Sequence, residues 1–128
     1  MVQIKIRTSQ RIEARDITAE VARAVDGKDG NFVHLFCTHT TCGLTINENA
    51  DPAVMKDVMD AFNRMVPANY PYRHGEGNSD AHIKSSLVGH SLTIPIDYGR
   101  LTLGTWQGIY LMEFDGPRER KILLSLVQ

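Results

Sequence analysis

The segment FVHLFCTHTTCGLTIN, residues 32–47, holds the pattern that decides the fold. Phe32 to Cys37 is apolar except for His34, and a run this short that is rich in Val and Phe predicts a central β-strand. Gly43 to Asn47 predicts a second strand. His34 lies inside an apolar strand, so we expect a hydrogen-bonded interior or interface residue rather than a metal ligand. A polar segment rich in Thr and His thus joins two predicted strands.

The N-terminal part of the chain predicts two strands and a helix. Apolar and polar residues alternate over Val2–Ile6, which is typical of a half-buried strand. We expect residues 11–15 to return beside it as a second strand. Apolar residues at helical spacing between Ile17 and Val25 then predict a helix that Gly27 ends.

The middle of the chain predicts two helices separated by a long loop. Asp51-Pro52 is a strong helix start, because Asp caps the free amides and Pro suits the first turn. Apolar residues recur every three or four positions from Val54 to Met65, which indicates one buried helix face. Residues 67–79 form a polar stretch, and loops this long are often functional. Ser79 is expected to begin a short helix that runs through Leu87.

The C-terminal third predicts strands again, and with them the fold class. Asp115-Gly116-Pro117 predicts a tight turn between the last two strands. Strands dominate and the helices are inserted between them, which favours an α+β domain, an antiparallel β-sandwich with inserted helices. We expect one domain over residues 1–128. The expected strands are 92–96, 101–103, 109–114 and 121–127.

Composition excludes several classes of protein. Hydrophobic residues make up 42% and charged residues 23% of the 128 residues, which is typical of a globular domain rather than a disordered chain. The net charge of −1 and the lack of a basic stripe with interleaved aromatics argue against nucleic-acid binding. There is no apolar run of the roughly 20 residues that a membrane helix needs. No signal-peptide core is recognisable, so we expect a cytoplasmic protein whose Cys37 and Cys42 stay reduced.

Three long blocks carry a resemblance to a known family. HTTCGLTINEN (39–49), NSDAHIKSSLVGHSLTIPI (78–96) and LGTWQGIYLMEFDGPR (103–118) follow one another in order and span most of the chain. They resemble the signature blocks of the YjbQ-like family, whose members are described as secondary thiamine-phosphate synthases. The resemblance implies a β-sandwich fold, a homotrimer, and a polar pocket near a subunit interface. The implied activity joins a pyrimidine diphosphate to a thiazole phosphate, giving thiamine phosphate and pyrophosphate.

The same blocks contain the residue types that this chemistry needs. Departure of pyrophosphate requires cations or oriented donors for the leaving oxygens. Glycines let backbone amides approach an anion, and a helix start attracts one. Indole can stack on a heteroaromatic ring. The candidate catalytic residues are His39, Glu48, His74, Asp80 and His82. The candidate substrate-binding residues are Thr40, Thr41, Asn47, Gly75, Glu76, Asn78, Ser79, Lys84, Trp106, Gln107 and Arg118, and Arg73 and Arg120 are further sources of positive charge.

The histidines raise the alternative of a metal site. His82 lies on the short predicted helix and His90 follows the glycine that ends it, and imidazole suits zinc and similar divalent metals. A third ligand from His39, Glu76 or Asp80 would complete the site, with zinc or magnesium as the ion. Two other functions therefore stay open beside the transferase: a metal-dependent hydrolase, and a non-catalytic protein that binds phosphorylated metabolites. The expected ligands are small phosphorylated heterocycles and free phosphate or sulfate.

Overall fold

The computed structural model describes all 128 residues, in eight strands and three helices. The elements in chain order are β1 (Val2–Arg7), β2 (Glu13–Asp16), α1 (Thr18–Val25), β3 (Phe32–Cys37), β4 (Cys42–Glu48), α2 (Pro52–Met65), α3 (Ser79–Val88), β5 (Ser91–Asp97), β6 (Arg100–Leu101), β7 (Gln107–Glu113) and β8 (Glu119–Val127). No helix is both long and apolar enough to cross a membrane.

The strands form two antiparallel sheets. The large sheet has the order β1-β8-β3-β5-β6, and the small sheet has the order β2-β7-β4. The buried residues Val33 and Leu35 of the large sheet share one core with Leu44 and Leu111 of the small sheet. The predicted α+β class with two antiparallel sheets and inserted helices is confirmed.

The expected pairing of the second strand with the first is wrong. β2 pairs with β7 in the small sheet, with Ala14 opposite Met112, whereas β1 pairs with β8. The chain changes sheets between them, because the amide of Thr8 donates to the carbonyl of Arg118 and the carbonyl of Arg11 accepts from the amide of Gly116. Neighbours in sequence often pair, but these bonds direct the second strand to the other sheet.

The small sheet is buried on both faces. Ile109 and Leu111 of β7 face the large sheet, while Tyr110 and Met112 face the helices α2 and α3. Because β7 is covered on both sides, its sequence is a continuous apolar run rather than an alternating one. α2 begins as predicted, since the side chain of Asp51 accepts a hydrogen bond from the amide of Ala53 at 2.9 Å.

The large sheet is covered on one face only. β3 is its middle strand, as predicted, but its residues alternate between buried and exposed. Phe32 and Phe36 are exposed, and Val127 lies opposite Phe32 on the neighbouring strand. The apolar run of β3 therefore did not indicate burial on both faces. Instead it leaves an apolar surface open on the outer face of the sheet.

The predicted turn at residues 115–117 joins strands of different sheets. β7 lies in the small sheet and β8 in the large one. Gly116 is required here by space, because a Cβ at this position would lie 2.2 Å from the carbonyl oxygen of Gln10. The turn brings the last residues of β7 and the first residues of β8 together at one end of the sandwich, and a polar cleft opens there.

Candidate functional site

A polar cleft of about 330 Å³ lies at this end of the sandwich. It is formed by the β3–β4 turn, the loop before α3, the start of α3 and the start of β8. None of its lining residues is hydrophobic, so the cleft is suited to a polar ligand rather than to an apolar one. The lining residues are Thr38, His39, Thr40, Thr41, Glu76, Asn78, His82, Arg118 and Arg120.

The floor of the cleft is a buried ion pair. Arg120 of β8 is 2% exposed and Glu113 of β7 is fully buried. Arg120 Nε donates to Glu113 Oε1 at 2.9 Å, and Nη2 donates both to Glu113 Oε2 and to Thr41 Oγ1. Burial is the largest single effect and opposes the charge of the guanidinium, but the hydrogen bond with Glu113 and the charge interactions with Cys42, Glu113 and Cys37 together raise the pKa of Arg120. The floor therefore carries a permanent positive group.

The carboxylate of Glu113 is held from several directions. Its Oε1 also accepts from Thr8 Oγ1 at 2.7 Å, and its Oε2 accepts from the amides of Phe114 and Asp115, each at 3.1 Å. These donors fix the carboxylate, and the carboxylate in turn fixes the guanidinium plane. Arg120 therefore has little freedom to change its orientation.

One nitrogen of Arg120 remains available. Nη1 makes no hydrogen bond within the chain. Among fully buried side-chain nitrogen and oxygen atoms, only Asn78 Oδ1 lacks a partner, so the unpaired Nη1 retains some exposed surface. Because Arg120 lines the cleft, a fixed cationic donor is free to bind an anionic oxygen there.

His39 lies on the wall of the cleft with one ring nitrogen already occupied. Its Nε2 accepts a hydrogen bond from the backbone amide of Lys121 at 2.8 Å. Burial, followed by the positive charge of Arg120, lowers the pKa of His39 below its ordinary value of 6.5. His39 is therefore neutral at neutral pH, with an unprotonated Nε2.

The start of α3 contributes further donors. Asn78 occupies the N-cap position and lines the cleft, but its side chain makes no capping hydrogen bond. The amides of Ser79 and Asp80, in the first turn, have no acceptor within the chain, and such amides favour anions. Arg118 lies on the rim with Nη2 3.0 Å from Asp115 Oδ2, which also accepts from Asn78 Nδ2 at 2.9 Å.

His82, on the first turns of α3, belongs to a small group of titratable residues at the rim. The ring of His74 contacts that of His82 edge-on, with centroids 5.6 Å apart. His74 Nε2 lies 3.6 Å from Glu76 Oε2, and both His82 and Glu76 line the cleft. Gly75 lies between His74 and Glu76 in the loop, and a Cβ at this position would meet no other atom within 4 Å. A group able to donate or accept a proton thus lines the same cleft as Arg120.

Asp80 and Lys84 lie outside the cleft. Both are buried, and Lys84 Nζ donates to Asp80 Oδ2 at 3.0 Å and to Asn63 Oδ1 at 2.8 Å. Arg11 Nη2 lies 3.4 Å from the same carboxylate. This buried ion pair ties α3 to α2, and neither side chain is exposed to a ligand in the cleft.

Four more of the sequence candidates lie at the opposite end of β4. Asn47 and Glu48 end this strand, and Glu48 lies opposite Gln107 on β7. Trp106 is 63% exposed there. Cys42 and Glu48 are six steps apart along the strand, about 20 Å at roughly 3.3 Å per residue. Within one copy of the chain, these residues are therefore too far away to share a ligand with the cleft.

The two histidines expected to bind a metal lie at opposite ends of α3. His82 is on its first turns, and His90 lies two residues beyond its last residue, Val88. The helix alone rises by about 9 Å from His82 to Val88. Ser85 Oγ donates to the carbonyl of Cys42, so it accepts from His90 Nε2 at 3.0 Å. No group of three or more His, Cys, Asp or Glu side chains is arranged to hold a metal ion. The metal site stays a prediction, without a preformed ligand set in one chain.

Both cysteines are free and buried next to the cleft turn. Cys37 ends β3 and Cys42 begins β4, and their sulfur atoms lie 3.3 Å apart. The shared hydrogen bond and burial raise the pKa of Cys42. Cys42 is therefore a packed thiol of the core rather than an exposed nucleophile.

A second, larger groove follows α2 and has a volume of about 490 Å³. It has an apolar floor that includes Met55, Met59 and Tyr110, and three acidic residues lie on it with Lys56 as the only base. This charge disfavours a phosphorylated ligand. The smaller polar cleft is therefore the better candidate for the chemistry that the sequence blocks suggest.

Comparison with known proteins identifies the family. The family model described as "UPF0047 protein YjbQ-like" matches residues 2–128. A UPF0047 protein of Methanocaldococcus jannaschii is 48% identical, with 99% of this chain and 94% of that protein covered. UPF0047 protein YugU of Bacillus subtilis is 46% identical, with 97% and 96% of the two chains covered.

Solved structures agree with this assignment. A YjbQ/UPF0047 family protein of Clostridium acetobutylicum superposes with a TM-score of 0.95 at 47% identity, covering 99% of this chain and all of that one. The protein TT1486 of Thermus thermophilus gives a TM-score of 0.95 at 42% identity, with 99% and 100% of the chains covered. The match extends over the whole domain, and the chain therefore belongs to the UPF0047 family of YjbQ-like proteins.

Proposed function

We propose that the polar cleft binds the phosphate groups of small phosphorylated heterocycles. The observation that carries the proposal is Arg120, which is buried and fixed by Glu113 yet keeps Nη1 unpaired in a cleft without hydrophobic residues. Keeping a guanidinium in such a place is costly unless its donors are satisfied. An anionic oxygen satisfies the remaining one.

Neighbouring groups support an anion of more than one oxygen. The hydroxyl of Thr40, the guanidinium of Arg118 and the imidazole of His82 line the same cleft, and the free amides at the start of α3 add a helix terminus. Glu76 is the only acid in the lining. The set is suited to a phosphate or diphosphate, with inorganic phosphate or sulfate as its simplest ligand.

The reaction we propose is of the thiamine-phosphate synthase type. A pyrimidine diphosphate and a thiazole phosphate would be joined, with release of pyrophosphate. Arg120 and Arg118 would stabilise negative charge on the leaving diphosphate oxygens, which is the largest requirement of such a displacement. His82, which lines the same cleft, would exchange a proton with the leaving group. We also propose a cytoplasmic location, which agrees with two unoxidised cysteines.

Inorganic phosphate tests the binding site. Added phosphate, at concentrations on the order of tens of millimolar, should raise the melting temperature of the wild-type protein, since a ligand that binds only the native state stabilises it. Arg118→Gln should reduce this shift. Lys28→Gln, at an exposed position outside the cleft, is the matched control and should leave the shift unchanged. Equal shifts for both variants would show that phosphate acts through general charge effects and would contradict the site.

Synthase activity is tested with the two substrates. Purified protein incubated with the pyrimidine diphosphate and the thiazole phosphate should produce thiamine phosphate and an equal amount of pyrophosphate. His82→Ala should lower the rate about 100-fold or more, the usual contribution of an acid–base group. If phosphate binds but no product forms, the protein is a non-catalytic binder of phosphorylated metabolites.

We further propose that the chain forms a homotrimer, as the resemblance to the YjbQ-like family implies. The exposed apolar residues Phe32, Phe36 and Val127 on the outer face of the large sheet support an association of some kind. Light scattering at micromolar concentration should give a mass three times that of the 14.3 kDa chain. A monomer mass would refute the trimer.

A divalent metal, zinc or magnesium, at His82 remains a separate prediction. Because the side chains of one chain do not form a complete ligand set, the ion would need a ligand from a bound phosphate or from another copy. Metal analysis of the purified protein, before and after zinc or magnesium is added, decides it. Stoichiometric metal that is lost in His82→Ala would support the hydrolase alternative.

A further inference from the structure

The ring of His39 is held in one tautomer by the backbone of β8. The amide of Lys121 carries a hydrogen and points at Nε2 from 2.8 Å. An amide can only donate, so Nε2 must be the unprotonated, accepting nitrogen of the imidazole. A neutral imidazole carries its proton on the other nitrogen, which is Nδ1.

Nδ1 is the free polar atom of this ring. It makes no hydrogen bond within the chain. The one fully buried side-chain nitrogen or oxygen without a partner is Asn78 Oδ1, so Nδ1 of His39 retains some exposed surface. His39 lines the cleft together with Arg120 and Arg118. A residue that lines the cleft therefore carries a neutral N–H donor, and the orientation of its ring is set by the amide of Lys121 in β8, the strand that also carries Arg120.

We infer that His39 binds the ligand as a neutral hydrogen-bond donor through Nδ1–H, and that it is neither the general base nor a metal ligand. The inference rests on the proposed phosphate site and assigns the part that His39 has in it. To act as a base or to bind a metal, His39 would need a lone pair on Nδ1. The proton would then lie on Nε2, facing the amide hydrogen of Lys121, and the 2.8 Å hydrogen bond would be lost.

The same geometry separates the functions of the two cleft histidines. His39 is fixed by the backbone, whereas the ring of His82 makes no hydrogen bond within the chain and packs in a T-shaped arrangement with the ring of His74. Proton transfer is thus left to His82, and His39 contributes a donor that does not change its charge. An anionic oxygen that reaches Arg120 Nη1 is the acceptor that we expect for it.

Nitrogen-15 NMR of the wild-type protein tests the tautomer directly. The Nε2 resonance of His39 should lie in the range of an unprotonated ring nitrogen, and that of Nδ1 in the protonated range. Addition of inorganic phosphate should shift the Nδ1–H signal and leave Nε2 unprotonated. A protonated Nε2 in the neutral ring would overturn the inference. So would a Nδ1–H signal that does not move although other residues of the cleft respond to bound phosphate.

Two substitutions separate the two ring nitrogens. The amide of Gln reaches the position of Nε2, so His39→Gln keeps an acceptor for the amide of Lys121 but has no donor at Nδ1. The amide of Asn reaches the position of Nδ1, so His39→Asn keeps the donor and loses the acceptor. We expect His39→Gln to melt near the wild type and to bind phosphate roughly tenfold more weakly, and His39→Asn to melt lower but to retain phosphate affinity within about threefold.

The outcomes distinguish this inference from the phosphate site itself. If the wild type binds no phosphate by calorimetry, the phosphate site and this role of His39 both fail. If the wild type binds phosphate and His39→Gln binds it equally well, the phosphate site stands and only the role of His39 is refuted. Should either variant fail to fold, the wild-type NMR titration decides the question.

Discussion

Replacement of Arg120 by Met should remove about 3–5 kcal/mol of stability, the usual cost of leaving one member of a buried ion pair without its partner. Arg120 donates to both oxygens of Glu113, and to the hydroxyl of Thr41 at 2.8 Å and its carbonyl at 3.3 Å. All of these bonds are lost, and the carboxylate stays buried with only Thr8 and two backbone amides as donors. Met retains most of the apolar volume of the Arg stem, so the electrostatic loss dominates.

Urea denaturation followed by circular dichroism measures this loss. With a urea dependence of about 2 kcal/mol per molar for a domain of this size, a cost of about 4 kcal/mol lowers the midpoint by about 2 M. The double variant Glu113→Gln/Arg120→Met is the matched control. Gln keeps a carbonyl oxygen for the amides of Phe114 and Asp115 but carries no charge, so it should recover half or more of the loss.

Two results would refute the reasoning. A loss below about 1 kcal/mol for Arg120→Met would mean that water reaches the pair and that the floor of the cleft is not a low-dielectric site. A double variant no more stable than the single one would mean that the cost comes from packing rather than from the isolated carboxylate of Glu113.

Three further predictions follow from positions near the cleft. Gly43→Ala should destabilise the protein, because its Cβ would lie 2.6 Å from the carbonyl oxygen of Gly89; a melting temperature within a degree of the wild type would contradict this. Cys37 and Cys42, both buried, should react with a thiol reagent only after unfolding, and rapid labelling of the native protein would show that the core is open. The lowered pKa of His39 means that the unfolded chain takes up a proton first as pH falls below about 6.5. Stability should therefore decrease with falling pH until the folded pKa is reached, and this decrease should be smaller in His39→Gln.

The sequence predicted the helices and strands better than it predicted which strands pair with one another. The period-two pattern of β1, the apolar run of β3 and the Asp-Pro start of α2 all depend on local physical chemistry, and the structure contains each of them. The pairing of β2 with β7 depends on backbone bonds from residues 8 and 11 to the turn at 116–118. Such contacts across more than a hundred residues leave no periodic signal in the sequence.

The candidate site was predicted in part, for a related reason. The blocks of polar residues include His39, Thr41 and Arg118, which line the cleft, but they also include Trp106 and Glu48 at the far end of β4. Residues at the two ends of a seven-residue strand are close in sequence but lie about 20 Å apart in the structure.

The pairing at the floor of the cleft was missed, although the sequence carried a signal for it. In β8 the buried positions alternate, and Arg120 falls in phase with Ile122 and Leu124. Glu113 is likewise the one acid in the apolar run of β7. A charged residue on an inward-facing position of a strand indicates a buried partner. Two such residues of opposite charge therefore predict an ion pair between them.

The Glu113–Arg120 pair also sets limits on how the binding specificity of the cleft can change. The pair joins a strand of the small sheet to a strand of the large one through Nε and Nη2 of Arg120. The residue that would hold an anion through Nη1 is therefore the same residue that keeps the two sheets together at this end. Substitutions that alter the floor must be compatible with folding before they can be tested for binding. Variation among related proteins, and any laboratory redesign for a new phosphorylated ligand, should therefore concentrate on the rim, at positions such as 40, 76, 82 and 118.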